Sequence, residues 1–228
     1  GGAGGTLTAF GIDAENEPLD TDDPNPGVFS ETSVHRLLYD LYDSGTNELA
    51  YDKISVGLGT FYDVLVGKQK TTPSMTTIAS FITTLKEQPG VDVAAVNTLL
   101  ARYDMGPISS VWGEGDSRML PMYSGVYSFP YSNRLTLDGG YAYNTWYQNQ
   151  YYVFYGDGSR VTVSATSTDD VGIELYKQGE VVGASDNNLS GTESFSITTE
   201  NRETYVLVVT GFKETDGSYN VSISITSP

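Results

Sequence analysis

The chain reads as two parts of different class: a small all-α helical lobe followed by an antiparallel β-sandwich or jelly roll. Three observations predict this. Residues 30–106 carry apolar side chains at helical spacing, and residues 123–226 carry short alternating runs broken by turn residues. Between them, 107–122 contains Pro107, Gly113, Gly115 and Pro121 among polar residues and reads as a linker. The expected organisation is therefore an extended acidic segment at 1–29, a helical lobe at 30–106, the linker at 107–122 and a β domain at 123–228.

Each helix has its own punctuation. In the first, Ser30 is the N-cap, Glu31 suits the positive end of the dipole, and Gly45 stands where a left-handed C-terminal residue is wanted. Val34, Leu37, Leu38 and Leu41 follow i, i+3, i+4, i+7 and predict one buried stripe. A shorter helix fits Thr60–Val66, burying Phe61, Val64 and Leu65. The third is expected to start after Ser74, to bury Met75, Ile78, Phe81, Ile82 and Leu85, and to stop at Pro89-Gly90. The fourth starts at Asp92 and is expected to bury Val93, Val96, Leu99, Leu100 and Tyr103.

In the second half the expected strands are Arg134–Leu137, Gln150–Tyr155, Arg160–Ala165, Val171–Tyr176, Glu180–Ala184, Glu193–Ile197, Thr204–Thr210 and Tyr219–Ile225. Asp138-Gly139-Gly140, Gly156-Asp157-Gly158, Asp186-Asn187-Asn188 and Asp216-Gly217-Ser218 supply the turns between them. Val161-Val163-Ala165 and Val221-Ile223-Ile225 put apolar residues on one face with Ser or Thr opposite. One further strand is expected at Thr6–Ile12.

Composition narrows the chemistry. The 228 residues hold 12 Lys and Arg against 29 Asp and Glu, a net charge of −17. Such a chain is repelled by nucleic acid and by anionic membrane surfaces. Both halves are acidic, −11 in 1–116 (6 basic, 17 acidic) and −6 in 117–228 (6 basic, 12 acidic). Cysteine is absent, so disulfides, thiol catalysis and Cys-ligated metals are excluded. With His35 the only histidine, a zinc site built on two imidazoles is excluded too. No apolar run is long enough for a transmembrane helix. On its own, the chain is expected to be catalytically inactive and to hold no cofactor other than a candidate calcium ion.

Two resemblances bear on function. Val28-Phe29-Ser30-Glu31 with Leu38-Tyr39-Asp40-Leu41-Tyr42-Asp43-Ser44-Gly45, Thr71-Thr72-Pro73 and Phe81-Ile82-Thr83-Thr84-Leu85 resembles a region of large secreted bacterial zinc-metallopeptidase-like proteins. In that family this region follows an HExxH motif, and none is present here. The resemblance implies a helical lobe that supports an upstream peptidase domain of the same protein, with zinc only in that missing region. Tyr152-Val153-Phe154, Val161-Thr162-Val163, Asp169-Asp170 before Ile173-Glu174-Leu175-Tyr176, Tyr205-Val206-Leu207-Val208-Val209 and Gly217-Ser218-Tyr219-Asn220-Val221 are similar to the bacterial pre-peptidase C-terminal domain. That similarity implies a secreted or cell-surface β-sandwich serving export, anchoring or attachment to substrate, with calcium and collagen binding among its relatives. The alternative is a non-enzymatic surface module that binds carbohydrate or extracellular protein.

Three residue groups are candidate sites. Asp169, Asp170 and Asp186, or Asn188 in its place, lie in loops that can meet at one end of a sandwich and offer hard oxygen ligands for calcium. Asp20, Asp22 and Asp23, with Asn25, offer a second acidic set without EF-hand spacing. Tyr141, Tyr143, Trp146 and Tyr147 crowd a Gly/Asn-flanked stretch, where planar aromatics can stack on sugars or anchor a protein partner. Tyr151–Tyr155, by contrast, reads as a strand covered on both faces. His35, about 100° around the first helix from Val34 and off the centre of its apolar stripe, reads as an ordinary boundary histidine.

Overall fold

A computed structural model describes residues 26–43, 52–113, 122–140 and 148–227. Four helices come first: α1 (Glu31–Tyr42), α2 (Gly57–Val66), α3 (Ile78–Lys86) and α4 (Val93–Arg102). The strand expected at Thr6–Ile12 lies outside the described residues.

In α1 the Ser30 hydroxyl accepts from the Ser33 N–H, as a cap should. The helix ends at Tyr42, short of Gly45, because Asp43 is already extended while its N–H closes the last turn on the Tyr39 carbonyl. Leu37 and Leu41 are fully buried. So are Arg36 and Asp40 on the same helix, the latter accepting a 2.5 Å hydrogen bond from Tyr103 at the end of α4. Helix α2 starts at Gly57, three residues before the expected Thr60, and buries only Val64. Leu65, expected inside, is 51% exposed; the helix faces its neighbours through Phe61, whose ring meets Tyr42 of α1 and Phe81 of α3, and through Val64 in the core.

Helix α3 is capped by Thr77 and not by Ser74. The Thr77 and Ser80 hydroxyls bond reciprocally to each other's backbone N–H, a complete capping box that outcompetes the earlier serine. Ser74 bonds instead to the Thr72 hydroxyl and the Met75 carbonyl, so Met75 stays outside the helix. Asp92 caps α4 on both the Ala94 and Ala95 N–H groups. Val93, in the first turn, faces outward and is 42% exposed, contrary to expectation.

Nine strands follow: β1 (Tyr123–Gly125), β2 (Tyr131–Gly139), β3 (Asn149–Tyr155), β4 (Arg160–Ser167), β5 (Val171–Lys177), β6 (Glu180–Ser185), β7 (Gly191–Thr198), β8 (Thr204–Gly211) and β9 (Gly217–Thr226). They form two sheets, ordered β1-β3-β8-β5-β6 and β2-β9-β4-β7. Every pairing is antiparallel except β1 on β3, which is parallel. Strand β1 is absent from the sequence reading, since three residues beside a proline carry no alternation.

The inner faces interdigitate as the period-two pattern requires, with Tyr152, Phe154, Val163, Leu175, Leu207 and Val221 in the core. A separate core in the helical part gathers Leu37, Leu41, Ile82, Leu85, Leu99 and Leu100, and runs as far as Ile108. The two parts touch through Tyr123. Its hydroxyl accepts the Met75 N–H at 3.1 Å, and its ring meets Trp112 edge-on at 4.9 Å.

Candidate functional site

Strand alternation gives the sandwich two unlike outer surfaces. On the β2-β9-β4-β7 sheet the register aligns Arg134, Ser222, Thr166 and Thr192 in one row. Ser132, Ser224, Ser164 and Ser194 form the next row. Thr226, Thr162 and Ser196 continue the pattern. The result is a lattice of hydroxyls with no aromatic side chain on it. On the β1-β3-β8-β5-β6 sheet the rows are Tyr123, Tyr151, Val208, Glu174, Ala184 and Gly125, Val153, Val206, Tyr176, Val181. This second face is aromatic and aliphatic and is covered at its centre, where Val206 and Val208 are buried; its carboxylate, Glu174, accepts the Tyr176 hydroxyl at 2.5 Å. Burial and that carboxylate together push the Tyr176 phenol up to about 12.

Strand β3 has the covered character expected of it over most of its length. Tyr152 and Phe154 enter the core, Tyr151 and Val153 are half-buried, and Tyr155 at the strand end is 65% exposed. Tyr152 is a buried phenol whose hydroxyl accepts from Asn133, and burial pushes it to about 12 as well.

At the loop end of the sandwich Asp170 faces Asp186, while Asp169 is engaged elsewhere. Asp169 turns to Lys213, 3.7 Å away. Asp170 takes the Phe212 N–H on its carbonyl, and its side chain faces Asp186 and Glu193. Burial first, and then those two carboxylates, raise Asp170 above the ordinary aspartate value; its Oδ1 is enclosed and accepts no hydrogen bond. Asp186 packs over Gly172, where a β-carbon would sit 3.3 Å from its Cγ.

Beneath them is a residue the sequence reading passed over. Glu193 is 2% exposed and accepts the Ser185 hydroxyl, the Asn188 N–H and the Asn188 side-chain amide. Those donors hold its carboxyl below the usual range despite its burial. The signal was present: Glu193, Phe195 and Ile197 alternate, which puts the carboxylate on the inward side of β7. Among the described residues no three acidic or imidazole side chains gather closely enough to hold a metal ion. His35 is exposed on α1. Asp20, Asp22 and Asp23, and the aromatic set Tyr141, Tyr143, Trp146 and Tyr147, lie outside the described residues. No described helix is long and apolar enough to cross a membrane.

No family model matches the chain. No curated protein matches it either. Among solved structures it is similar to the pre-peptidase C-terminal domain of a Bacillus anthracis collagenase, with 12% identity over 46% of this chain and 94% of that one and a TM-score of 0.37. It is also similar to a periplasmic inhibitor of g-type lysozyme from Aeromonas hydrophila (10% identity, 46% and 97% covered, TM-score 0.34). A third is a CBM36 carbohydrate-binding module solved with calcium and xylotriose (14% identity, 42% and 85% covered, TM-score 0.25).

Proposed function

We propose that this chain is a non-catalytic accessory region of a secreted or cell-surface bacterial protein, and that its β-sandwich attaches that protein to a polysaccharide. The observation that carries this reading is the hydroxyl lattice of the β2-β9-β4-β7 sheet. A polymer that is itself covered in hydroxyl groups can pair with the hydroxyls that this lattice leaves available, since a Ser side chain both donates and accepts.

The helical lobe, on the sequence resemblance, supports an upstream zinc-peptidase domain of the same protein. Residues 30–106, 107–122 and 123–228 then act as lobe, linker and pre-peptidase-like attachment module. Calcium belongs to the loop end in this reading. A divalent ion beside Asp170 and Asp186 would offset the repulsion that raises Asp170, while Asp169 would join only by leaving Lys213. The direct test is co-sedimentation of the full chain with insoluble polysaccharides and with fibrillar collagen, with calcium and with chelator. Retention by a polysaccharide is expected. Retention by collagen alone would replace the polysaccharide with a protein partner. Stoichiometric zinc after dialysis together with cleavage of casein would overturn the accessory role.

A further inference from the structure

The hydroxyls of the lattice are not equivalent. Toward β7 they are committed to each other and to backbone: Thr162 with Ser196 at 2.7 Å, Thr166 with Thr192 at 2.8 Å, and Ser194 to the Val163 carbonyl at 3.0 Å. Toward β2, the side chains of Ser132, Ser164, Ser222 and Ser224 bond to no other described residue. These four line a shallow depression with Arg134 at its side.

Arg134 is exposed and forms no ion pair among the described residues. In a chain of charge −17 that is unusual, and register explains it. Its cross-strand neighbours are Ser222 and then Thr166. The nearest acid on its own strand face, Asp138, is four residues along, about 13 Å at strand rise and beyond a Debye length of about 8 Å at physiological salt. Its place on the strand is also fixed. The Arg134 N–H donates to Asn133 Oδ1 at 2.9 Å, and Asn133 Nδ2 donates to the buried Tyr152 hydroxyl at 3.1 Å. A guanidinium is thus set beside four available hydroxyls, with no ion pair to any described acid.

We propose that this depression reads a carboxylate carried by an otherwise neutral polysaccharide. The guanidinium fork takes both carboxylate oxygens, and Ser132, Ser164, Ser222 and Ser224 take ring hydroxyls on either side. One fork serves one carboxylate. A densely charged polyanion is excluded by the chain's own −17, whereas a sparsely carboxylated glycan meets that repulsion only weakly once salt screens it. The inference rests on the attachment role proposed above and names the chemistry it selects.

The test uses the full chain and isothermal titration against soluble glucan, xylan and mannan, each in neutral form and in a form sparsely carboxylated at the sugar. Tighter binding of a carboxylated form by a few-fold is expected, the scale of a solvent-exposed ion pair, and it should shrink as NaCl is raised. Arg134→Gln should abolish that preference, Arg134→Lys should leave part of it, and Arg160→Gln, at the far end of β4, should leave all of it. Thermal melting of Arg134→Gln should match the parent, since the side chain is exposed. Equal binding of neutral and carboxylated forms would overturn the inference and leave the attachment role standing. A preference that survives Arg134→Gln would overturn it by placing the carboxylate elsewhere. Binding of no polysaccharide in either form would remove both.

Discussion

Asn188 closes over Glu193, donating both its backbone N–H and its side-chain amide to Glu193 Oε1 at 2.8 Å. With Ser185 on the other oxygen at 2.5 Å, the loop between β6 and β7 is tied to an inward-facing carboxylate and not to apolar contacts. Burial opposes ionisation of this group, and the three donors outweigh it.

Glu193→Ala should therefore destabilise the sandwich by about 2–3 kcal/mol, because the Ser185 and Asn188 donors lose their acceptor. Glu193→Gln should cost less. The folded-state pKa of Glu193 is depressed, so its stabilisation is present at neutral pH and is lost as pH falls through the folded value. Melting temperature measured against pH should fall on the acid side in the parent, and this part of the fall should vanish in Glu193→Gln.

Asp170 should behave in the opposite sense. Its folded pKa is raised by burial, Asp186 and Glu193, so its ionised form opposes folding at neutral pH and the strain is relieved as pH falls through the folded value. Asp170→Asn should raise the melting temperature at pH 7 by a few degrees, on the scale of about 1 kcal/mol. Millimolar calcium should raise the parent's melting temperature more than NaCl of equal ionic strength does, and should have a smaller effect on Asp170→Asn. Equal shifts with both salts would assign the effect to general screening of the acidic chain.

Gly211 marks a close approach that admits no side chain. A β-carbon there would lie 1.7 Å from the Tyr219 hydroxyl and 3.1 Å from Leu137 Cδ1. Tyr219 is 5% exposed and wedged in the core, so its ring has nowhere to go. Gly211→Ala should cost about 1–3 kcal/mol, as overpacking does. Tyr219→Phe removes the offending oxygen, and denaturant melts of the double variant should recover part of the loss. A purely additive double variant would mean that the backbone of β8, not Tyr219, resists the change.

The sandwich should fold without the helices provided that β1 is kept. Its core begins at Val126 and that of the helical lobe ends at Ile108. Yet β1 covers the edge of β3 at Tyr151–Val153. A fragment of residues 122–228 should melt cooperatively, and a fragment of 126–228 should melt at lower temperature. Indistinguishable melts would make β1 an ornament of the edge.

The helical and β parts, the four described helices and eight of the nine described strands were legible in the sequence, because each rests on local periodicity and capping or turn residues. The misreadings come from competition between neighbours. Ser74 and Thr77 both suit an N-cap, and only Thr77 has Ser80 three residues on to complete the box. Leu65 has the right spacing for a core residue, but whether a face is buried depends on which helix packs against it. The candidate site was the least legible part. Asp170 faces Asp186, but Lys213 pairs with Asp169, and no spacing in the sequence announces that. Arg134 attracted no notice for a related reason: an arginine between serine and threonine acquires meaning only when the register shows what flanks it across the sheet.

The sandwich's two surfaces also fix a spatial order. The helical lobe joins at β1, on the edge of the tyrosine- and valine-bearing sheet, through Tyr123, Trp112 and Met75. The serine lattice with Arg134 belongs to the other sheet, about 10 Å away through the core. A glycan held on that lattice would therefore stand on one side of the module, and whatever the lobe supports would be carried toward the other. On the proposed attachment role, the module would act as a spacer with a front and a back, holding its ligand on one side and the chain that precedes it on the other.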